Sequence, residues 1–438
     1  MGLSAAARRA ASRAPVPVCP VAGIGAQREM DDLLVEPRLR IVDTPAAANV
    51  LLLAGAVPSA LVAELARLHD GLSRPRTSLW WTLGAGAPPA IPFSTEVQDS
   101  NSSALVDAVV EAHRRLLTGE LASSSPQLTD EDPAPWRGVG PYGQGGTGMT
   151  GGVPYGRPMA GVAPDRDGLR LDQLTVRIGP FFARFPTGLV LELRLQGDVV
   201  QEAQLVLPPS DVPTAGVAAT PFSDALHVPV RVSVLELERA RSHLRSIASA
   251  LVAHQLGSLA RRVLRLARQV RPGDDDEVER LHRVLRRSQI LGWATSGVGF
   301  IASDRLEGTA AGPILRASGI ALDERTEDPA YRGLGFEPIV HEGSDARARL
   351  AQRLAEARHS LELAGRAGDI DHDPESPLES PRGRLGAGDL PAQRILPLIP
   401  TLLAGMEWGD AVSTVVSLDL DTDDVLAMHA TDSELSVP

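Results

Sequence analysis

Hydrophobic positions in the first quarter of the chain come in short runs separated by amphipathic stretches. Three runs, typical of buried strands, lie at residues 40–42, 50–53 and 77–83. Residues 59–70 and 103–117 show apolar positions at three- and four-residue steps, which predicts helices. Because strands that alternate with helices usually form a parallel sheet, we predict an α/β domain over residues 39–118.

Periodicity disappears over residues 119–168, which are rich in Gly, Pro and Ser. Such a composition buries too little apolar surface to form a core, so we predict a Gly/Pro-rich linker. Within it, residues 143–148 match the dinucleotide pattern Gly-x-Gly-x-x-Gly. That pattern binds a pyrophosphate only between a strand and a helix, whereas prolines flank it here. We therefore predict that the chain binds no nucleotide.

The remainder begins with strands and continues with helices. Alternating segments at residues 174–178, 189–195 and 199–207 predict a small antiparallel β region, which we place at residues 169–232. A helical region is predicted over residues 233–425.

Its first part, residues 233–270, carries one apolar stripe and is predicted to be a single long helix ended by Arg-Pro-Gly. Further helices are predicted at residues 276–291 and 344–364. The arginines of these helices are spread among acidic residues, a pattern that usually indicates solvated faces.

The composition narrows the function classes. A formal net charge of −12 disfavours nucleic acid as a partner, since phosphate binding uses clustered Lys and Arg. The chain has one cysteine, Cys19, whereas a tetranuclear iron–sulfur cluster takes about four thiolates. The same count excludes an internal disulfide and a cysteine-rich zinc site. We predict a disordered or extended lead over residues 1–38, an acidic tail over residues 426–438, and no membrane span.

Two histidines and two acidic clusters could suggest metal sites. His243 and His254 share one helix face, but a rise of about 1.5 Å per residue separates them by roughly 16 Å, which one ion cannot bridge. Residues 369–373 read Asp-Ile-Asp-His-Asp between glycine and proline, which predicts a solvated loop. Residues 419–424 begin like a calcium loop but lack the glycine and glutamate that the loop requires, so we predict an acidic tail. No metal site is predicted.

Motifs in the helical region resemble a known family. Residues 236–244 fit Glu-Leu-x-Arg-x-x-x-His-Leu, and residues 312–320 read Gly-Pro-Ile-Leu-Arg-Ala-Ser-Gly-Ile. Asp-Pro-Ala-Tyr follows at residues 328–331, Ser-Pro-Arg-Gly at 380–383 and Ser-Leu-Asp at 417–419. In this order they are similar to the quinone-site (49 kDa) subunit of NADH:quinone oxidoreductase, which is the D subunit of bacterial complex I. That subunit is similar in turn to the large subunit of nickel–iron hydrogenases.

The N-terminal segment resembles the cluster-bearing small subunit (20 kDa, the B subunit) of the same complex. The resemblance rests on residues 49–57 and on Leu-Ala-Arg-Leu-His-Asp at residues 65–70. The family's Met-Gly-x-Cys segment reads Leu-Gly-Ala-Gly at residues 83–86, and its Gly-Cys-Pro-Pro turn falls in residues 95–100, which contain no cysteine. Cys19 lies roughly where one N-terminal cysteine of the family would fall. The resemblance therefore implies a fusion of a B-like and a D-like module in which the ligands of the 4Fe–4S cluster are lost.

The two resemblances imply a fold class and a function. The first domain is expected to be an α/β module of the flavodoxin-like small-subunit type. The second is expected to be an α+β module, with a small antiparallel sheet and a helical bundle, like the hydrogenase large subunit. The implied function is electron transfer to quinone within a membrane-associated, complex I-like or hydrogenase-like oxidoreductase of the respiratory chain.

The family's quinone loop is altered in this chain. Its pattern Gly-Pro-x-His-Pro-x-x-His-Gly is replaced by Gly-Pro-Phe-Phe-Ala-Arg-Phe-Pro-Thr-Gly at residues 179–188, so both histidines are absent. Because quinone reduction needs proton donors at the headgroup, we predict a non-catalytic docking scaffold, a pseudoenzyme without a cofactor. The alternative is a divergent redox subunit that still binds quinone. The residues predicted to line a residual quinone-like pocket are Phe181, Phe182, Phe185, Thr187, Gly84, Gly86 and His243.

The resemblance also implies partners and a location. The family's modules sit on a membrane arm, so we expect integral membrane subunits of the antiporter-like or complex I-like kind. The sequence shows no basic amphipathic segment that would lead directly to lipid, and its acidic charge is repelled by anionic headgroups. We therefore expect a peripheral protein on the cytoplasmic face of the membrane, held there by its partners.

Overall fold

The computed structural model describes residues 11, 13–83, 91–98, 102–129, 161–164, 168–209, 220–306, 312–386 and 390–428. Within these residues the chain forms a parallel α/β module, an antiparallel sheet and a helical bundle. The dinucleotide pattern at residues 143–148 and two of the predicted pocket residues, Gly84 and Gly86, lie outside the described residues.

Five parallel strands and three helices build the N-terminal module. They are β1 (Val16–Ala22), α1 (Gln27–Leu33), β2 (Leu39–Ile41), β3 (Val50–Ala54), α2 (Val62–Gly71), β4 (Thr77–Trp81), β5 (Thr95–Val97) and α3 (Ser102–Thr118). The strand order is β2-β1-β3-β4-β5, an order that also occurs in flavodoxin-like folds. All five positions of β3 are buried, because helices cover both faces of the sheet.

Strand β1 lies inside the sheet, between β2 and β3. The prediction of a disordered or extended lead is therefore wrong for residues 16–33. The sequence pattern does not predict this strand because it contains two prolines, and proline is normally unfavourable in a central strand. Here Pro20 follows Val18, the last residue paired with β2, and Pro17 precedes Val18, the first residue paired with β3. Each proline therefore stands where a neighbouring strand has ended or has not yet begun.

The second sheet is antiparallel, as the alternating pattern predicted. Its strands, in the order β6-β7-β8-β9, are β6 (Gly161–Pro164), β7 (Arg170–Ile178), β8 (Val190–Gln196) and β9 (Val199–Val206). The predicted linker is too long at both ends. At its start, the backbone N–H groups of Gln127 and Leu128 donate to the carboxylate of Asp70, and at its end β6 already pairs with β7.

The rest of the chain is mainly helical. Its elements are α4 (Pro221–Ala225), β10 (Val230–Arg231), α5 (Val232–Ala253), α6 (Gly257–Gln269), α7 (Asp275–Ser288), α8 (Ile290–Thr295), α9 (Ser303–Leu306), α10 (Pro313–Arg316), α11 (Pro329–Gly333), α12 (Ala346–Arg366), β11 (Asp371–His372), β12 (Leu378–Ser380), β13 (Gly383–Leu385), α13 (Pro391–Ile395), α14 (Ile399–Leu403), α15 (Trp408–Leu418) and α16 (Thr422–Met428). Helices α5, α6, α7 and α12 share one apolar core.

The helix predicted over residues 233–270 is two helices, α5 and α6. The break falls at Gln255, whose φ of 62° is left-handed, as is common where a helix ends. Gly257 then begins α6. Periodicity alone could not locate this break, because the apolar stripe continues across it.

Two acidic segments are more ordered than predicted. Residues 369–373 are not simply a solvated loop, since β11 pairs with β10 and Nδ1 of the buried His372 lies 2.6 Å from Oδ2 of Asp328. Residues 419–424 are not a tail either, because Asp421 pairs with Arg382 and residue 422 begins α16. Within the described ranges, no three His, Cys, Asp or Glu side chains are grouped in a way that could hold a metal ion.

Helix α16 joins the two halves of the molecule. Leu426 is fully buried in the core of the N-terminal module, beside Leu51 and Leu53. Oδ1 of Asp423 accepts a 2.8 Å hydrogen bond from the backbone N–H of Gly25, in the turn after β1. The predicted acidic tail over residues 426–438 is therefore wrong for residues 426–428, which complete this helix.

No helix in the described part of the chain combines the length and the apolar character that crossing a bilayer requires.

We expect Leu426→Ala to lower the free energy of unfolding by about 2–5 kcal/mol, because it leaves a cavity in a core shared by both modules. Leu174→Ala is the matched control: its side chain is exposed, and it should change stability by less than about 0.5 kcal/mol. Urea unfolding measures both.

After cleavage at a protease site introduced between residues 145 and 146, wild-type halves should elute together from a sizing column. Separation of the wild-type halves would contradict the buried joint.

Candidate functional site

A closed loop follows β7 and carries four of the predicted pocket residues, Phe181, Phe182, Phe185 and Thr187. Gly179 has a φ of 100°, and a Cβ there would lie 2.0 Å from the carbonyl oxygen of Leu189, so only glycine fits. The backbone N–H of Gly188 donates to Pro180 O at 2.9 Å and closes the loop. The rings of Phe182 and Phe185 meet edge to face, with centroids 4.9 Å apart. The glycine–proline frame therefore holds the phenylalanines in fixed positions.

A cavity of about 380 Å³ lies between this loop, the carboxyl end of β1, α1, the polar face of α5 and residues 415–423. Ligands of open parallel sheets bind outside the carboxyl ends of strands, where the strand order reverses, and β1 is such a strand. Phe181, Phe182, Phe185 and Thr187 all line the cavity. His243 does not line it.

Charged side chains form the polar side of the cavity. The carboxylates are Glu29, Asp31, Asp43, Glu238, Asp419, Asp421 and Asp423, and the arginines are Arg28, Arg184, Arg245 and Arg382. Burial raises the pKa of Asp31 to about 7, and burial together with Asp421 raises the pKa of Asp423 to about 7. Both carboxyls therefore carry a proton for part of the time at neutral pH. They are proton donors that the sequence did not reveal, because burial sets their pKa.

Unpaired donors also face this space. Ser246, on α5, is 3% exposed, lines the cavity, and its Oγ has no hydrogen-bond partner among the described residues. Nη1 of Arg184 and Nε of Arg245 are likewise buried without an acceptor in that part of the chain. With the phenylalanines opposite, the cavity suits a partly apolar molecule that carries acceptor oxygens.

Cys19, the single cysteine, lies in β1 and is buried in the core of the N-terminal module. Burial, with a smaller contribution from Asp43, raises the pKa of its thiol to about 12. The side chain is therefore a neutral thiol at physiological pH, whereas a metal takes the thiolate.

The Gly-Pro-Ile-Leu-Arg motif begins α10 and places Arg316 at the centre of the bundle. Gly312 has a φ of 67°, and a Cβ there would lie 2.7 Å from the backbone of Arg382, so glycine allows the two segments to cross. Pro313 then occupies the first turn of the helix, where its missing N–H costs nothing. The resemblance motif thus has a structural role, which is to position a buried guanidinium.

Three carboxylates surround Arg316. Its Nε donates to Oε1 of Glu356 at 2.7 Å, and its Nη1 lies 2.8 Å from Oε1 of Glu379 and 3.0 Å from Oδ2 of Asp323. All four side chains are buried. Burial alone would raise the pKa of Glu356, but Arg316 outweighs it and holds that pKa well below its ordinary value.

A second set of buried charges continues from Asp323. Arg325 pairs with Asp323 at 2.6 Å and with Glu236 at 3.2 Å, and Tyr331 donates to Glu236 at 2.7 Å. Glu236 and Arg239 form an ion pair within α5, at 3.0 Å. Although burial opposes ionisation, the two arginines lower the pKa of Glu236 to about 2. We call the nine residues Glu236, Arg239, His243, Arg316, Asp323, Arg325, Tyr331, Glu356 and Glu379 the bundle network.

His243 belongs to this network. Its side chain is fully buried, and Nε2 lies 3.2 Å from Oε2 of Glu356 without the angle of a hydrogen bond. Burial lowers the pKa of the imidazole, which favours the neutral form. His243 therefore packs inside the bundle, and the prediction that it lines the pocket is wrong.

Two arginines of α12 are buried, so the prediction that helical arginines are solvated is wrong at these positions. Arg349 and Arg353 donate to Gly299 O at 2.9 Å and to Ser417 O at 2.8 Å, respectively. Arg353 also lies 3.6 Å from Asp419, a residue of the cavity. These arginines could not be recognised from spacing, because their acceptors are backbone carbonyls far along the chain.

We expect Glu356→Gln to lower the free energy of unfolding at pH 7 by about 3–5 kcal/mol, since it leaves buried guanidinium charge uncompensated. The pKa of Glu356 lies below its ordinary value of 4.5, so the wild type holds this stabilisation above about pH 4.5 and loses it as the pH falls. The difference between the two proteins should therefore shrink in acid. Glu362→Gln, on the exposed side of α12, is the control and should cost less than about 1 kcal/mol. Urea unfolding at pH 7 and pH 4 tests this, and equal losses for the two variants would contradict it.

Comparison with known proteins finds a family match for part of the bundle. Residues 258–384 match the sequence profile described as respiratory-chain NADH dehydrogenase, 49 Kd subunit. This match runs from α6 to β13 and includes the surroundings of Arg316. The fusion with a 20 kDa module stays a prediction from the sequence.

Several relatives are subunits of one kind of enzyme. The NADH-quinone oxidoreductase D subunit of Dehalococcoides mccartyi is 33% identical over 135 residues, which cover 26% of this chain and 36% of that protein. The D 2 subunit of Sinorhizobium medicae is 33% identical over 100 residues, 22% of this chain and 24% of the relative. The D subunit of Leptospira biflexa is 35% identical over 108 residues, 24% and 25%. The chain thus spans at most 36% of the length of these three relatives. Residues 258–384 thus match the 49 kDa subunit family, and part of the chain is similar to the D subunit of NADH-quinone oxidoreductase.

Proposed function

We propose that this chain is a subunit of a complex I-like assembly and works there as a docking scaffold instead of a redox catalyst. One observation carries this proposal: the side chains that line the cavity include no His, Tyr or Cys among the described residues. The lone cysteine elsewhere in the sheet is a buried neutral thiol. Neither a cluster ligand set nor the family's quinone-protonating histidines stands where the resemblance would place them.

The packing of the molecule supports a scaffold. The bundle network fixes α5, α10 and α12 relative to one another, and α16 ties the bundle to the N-terminal sheet. A body joined in this way presents the surfaces of both modules at constant positions. That property is what a docking subunit requires of its fold.

The partners we propose are integral membrane subunits of the antiporter-like or complex I-like kind. The relatives named above are NADH-quinone oxidoreductase subunits, and we extend their membership of such an assembly to this chain. The location proposed is peripheral, on the cytoplasmic face of the membrane.

A second candidate function is quinone binding by a divergent redox subunit. The cavity favours it, since Phe181, Phe182 and Phe185 form an apolar wall opposite Ser246 and Asp31. The raised pKa of Asp31 lets this carboxyl donate a hydrogen bond to a carbonyl oxygen near pH 7, which would replace the missing histidines.

The scaffold proposal predicts two results from one preparation. When the chain is co-expressed with integral membrane subunits of a complex I-like assembly, it should sediment with membranes and remain there in Cys19→Ala, because attachment needs no cluster. Anaerobically purified protein should contain neither iron nor acid-labile sulfide in stoichiometric amount. A visible cluster spectrum that Cys19→Ala abolishes would contradict the proposal.

The quinone candidate predicts that decylubiquinone binds the purified chain and that Asp31→Ala or Ser246→Ala weakens binding by up to about tenfold, the value of one hydrogen bond. Asp107→Ala, which removes an exposed carboxylate on α3, is the matched control. Isothermal titration at pH 6.5 measures all four proteins. Absence of heat with the wild type would remove this candidate and leave the scaffold proposal intact.

A further inference from the structure

Two aromatic rings protrude from the bundle where α7, α8 and the start of α12 meet. Trp293 is 80% exposed and Phe300 is 60% exposed. Hydrogen bonds hold the backbone at or next to them: Trp293 N donates to Gln289 O at 2.9 Å, and Ile301 N, which follows Phe300, donates to Ser344 O at 3.2 Å. Both rings therefore extend into solvent from a fixed backbone.

Helices α7 and α12, which both contact α8, carry exposed arginines near these rings. Arg283, Arg286 and Arg287 lie on the last turns of α7, just before α8 begins. Arg347 is near Trp293, because its guanidinium carbon lies 3.9 Å from the position that a Cβ on Gly292 would take. We call Arg283, Arg286, Arg287, Trp293, Phe300 and Arg347 the Trp293 surface.

The local charge is opposite in sign to that of the whole chain. Residues 280–303 contain four arginines and no Asp or Glu, although the chain carries a formal net charge of −12. Helix α7 buries Val278, Leu281 and Leu285 on one side and exposes these arginines elsewhere. The acidic residues of α7, which are Asp275, Asp276, Glu277 and Glu279, lie in the first half of the helix, so only its last two turns are basic.

We propose that the Trp293 surface binds directly to the interface of an anionic lipid bilayer. Tryptophan prefers the headgroup layer of a membrane, and arginines close to it are attracted by anionic lipids. A bilayer is deformable, so protruding rings can enter it without a matching pocket, whereas a rigid protein partner would need one. The charge and the shape of this surface thus favour lipid over an acidic protein.

This inference goes beyond the proposed scaffold function, since it requires no partner protein. In the assembly, it orients the chain so that α7 and α8 face the membrane. None of the six residues of the Trp293 surface lines the cavity, so the two sites are separate.

The test is flotation of the full chain with vesicles of phosphatidylcholine alone or with one-third phosphatidylglycerol. We expect binding only to the anionic vesicles, and we expect high salt to weaken it. The double variant Arg283→Gln/Arg287→Gln should lower the partition coefficient roughly thirtyfold, as two arginines near an anionic surface imply. Trp293→Ala should lower it about tenfold at either salt concentration, because the contribution of the ring is apolar.

Matched controls lie on the N-terminal module and the second sheet. Arg67→Gln removes an exposed arginine of α2 and Leu174→Ala removes an exposed apolar side chain of β7, and neither should change the partition coefficient. Circular dichroism establishes that each variant folds.

Three outcomes would overturn the inference: no flotation with anionic vesicles, equal loss in variants and controls, or variants that float normally. If vesicles do not bind but the chain still sediments with co-expressed membrane subunits, lipid contact is wrong and the scaffold proposal stands. If the variants of the Trp293 surface float with vesicles as the wild type does but no longer sediment with the membrane subunits, the surface binds an acidic protein. The lipid inference is then likewise overturned.

Discussion

The architecture of the bundle depends on the complete neutralisation of one buried guanidinium, that of Arg316. Removing such a charge from water costs several kcal/mol, and only close pairing on all sides offsets that cost. The three carboxylates that pair with it come from residue 323, α12 and β12. A shift of any one of these segments would leave a charge unpaired in the interior. The network therefore selects a single arrangement of helices that share otherwise interchangeable apolar contacts.

Periodicity predicted most elements whose form is set locally. Strands β2, β3, β4, β7, β8 and β9 and helices α2, α3 and α12 follow from apolar spacing. The predictions that failed concern segments whose structure depends on residues far away in the sequence. Segment β1 becomes a strand because β2 and β3 pair with it, and α16 is buried because Leu426 packs into the N-terminal core. The phenylalanine loop could be assigned to the cavity through the resemblance alone. The carboxyls with raised pKa and the buried arginines could not, because burial is a property of the folded chain.

The molecule separates its charges into three environments with different chemistry. Inside the bundle network, opposite charges are buried and closely paired, although burial and the neighbouring Asp323 raise the pKa of Glu379 to about 7. In the cavity, the carboxyls of Asp31 and Asp423 titrate near neutral pH, because neighbouring arginines and hydrogen bonds offset only part of the rise in pKa that burial causes. On the Trp293 surface, arginines face solvent. The bundle network gives rigidity, the cavity can hold a small molecule, and the Trp293 surface can contact a partner.

The contact between Gly25 and Asp423 joins residues 398 positions apart in the sequence. During synthesis the strands of the N-terminal module emerge early, yet one patch of their core remains uncovered until the segment around Leu426 leaves the ribosome. Contacts of such high separation form late, since a long loop must close first. A chain that lacked the segment around Leu426 would keep this apolar patch of the first module in contact with solvent.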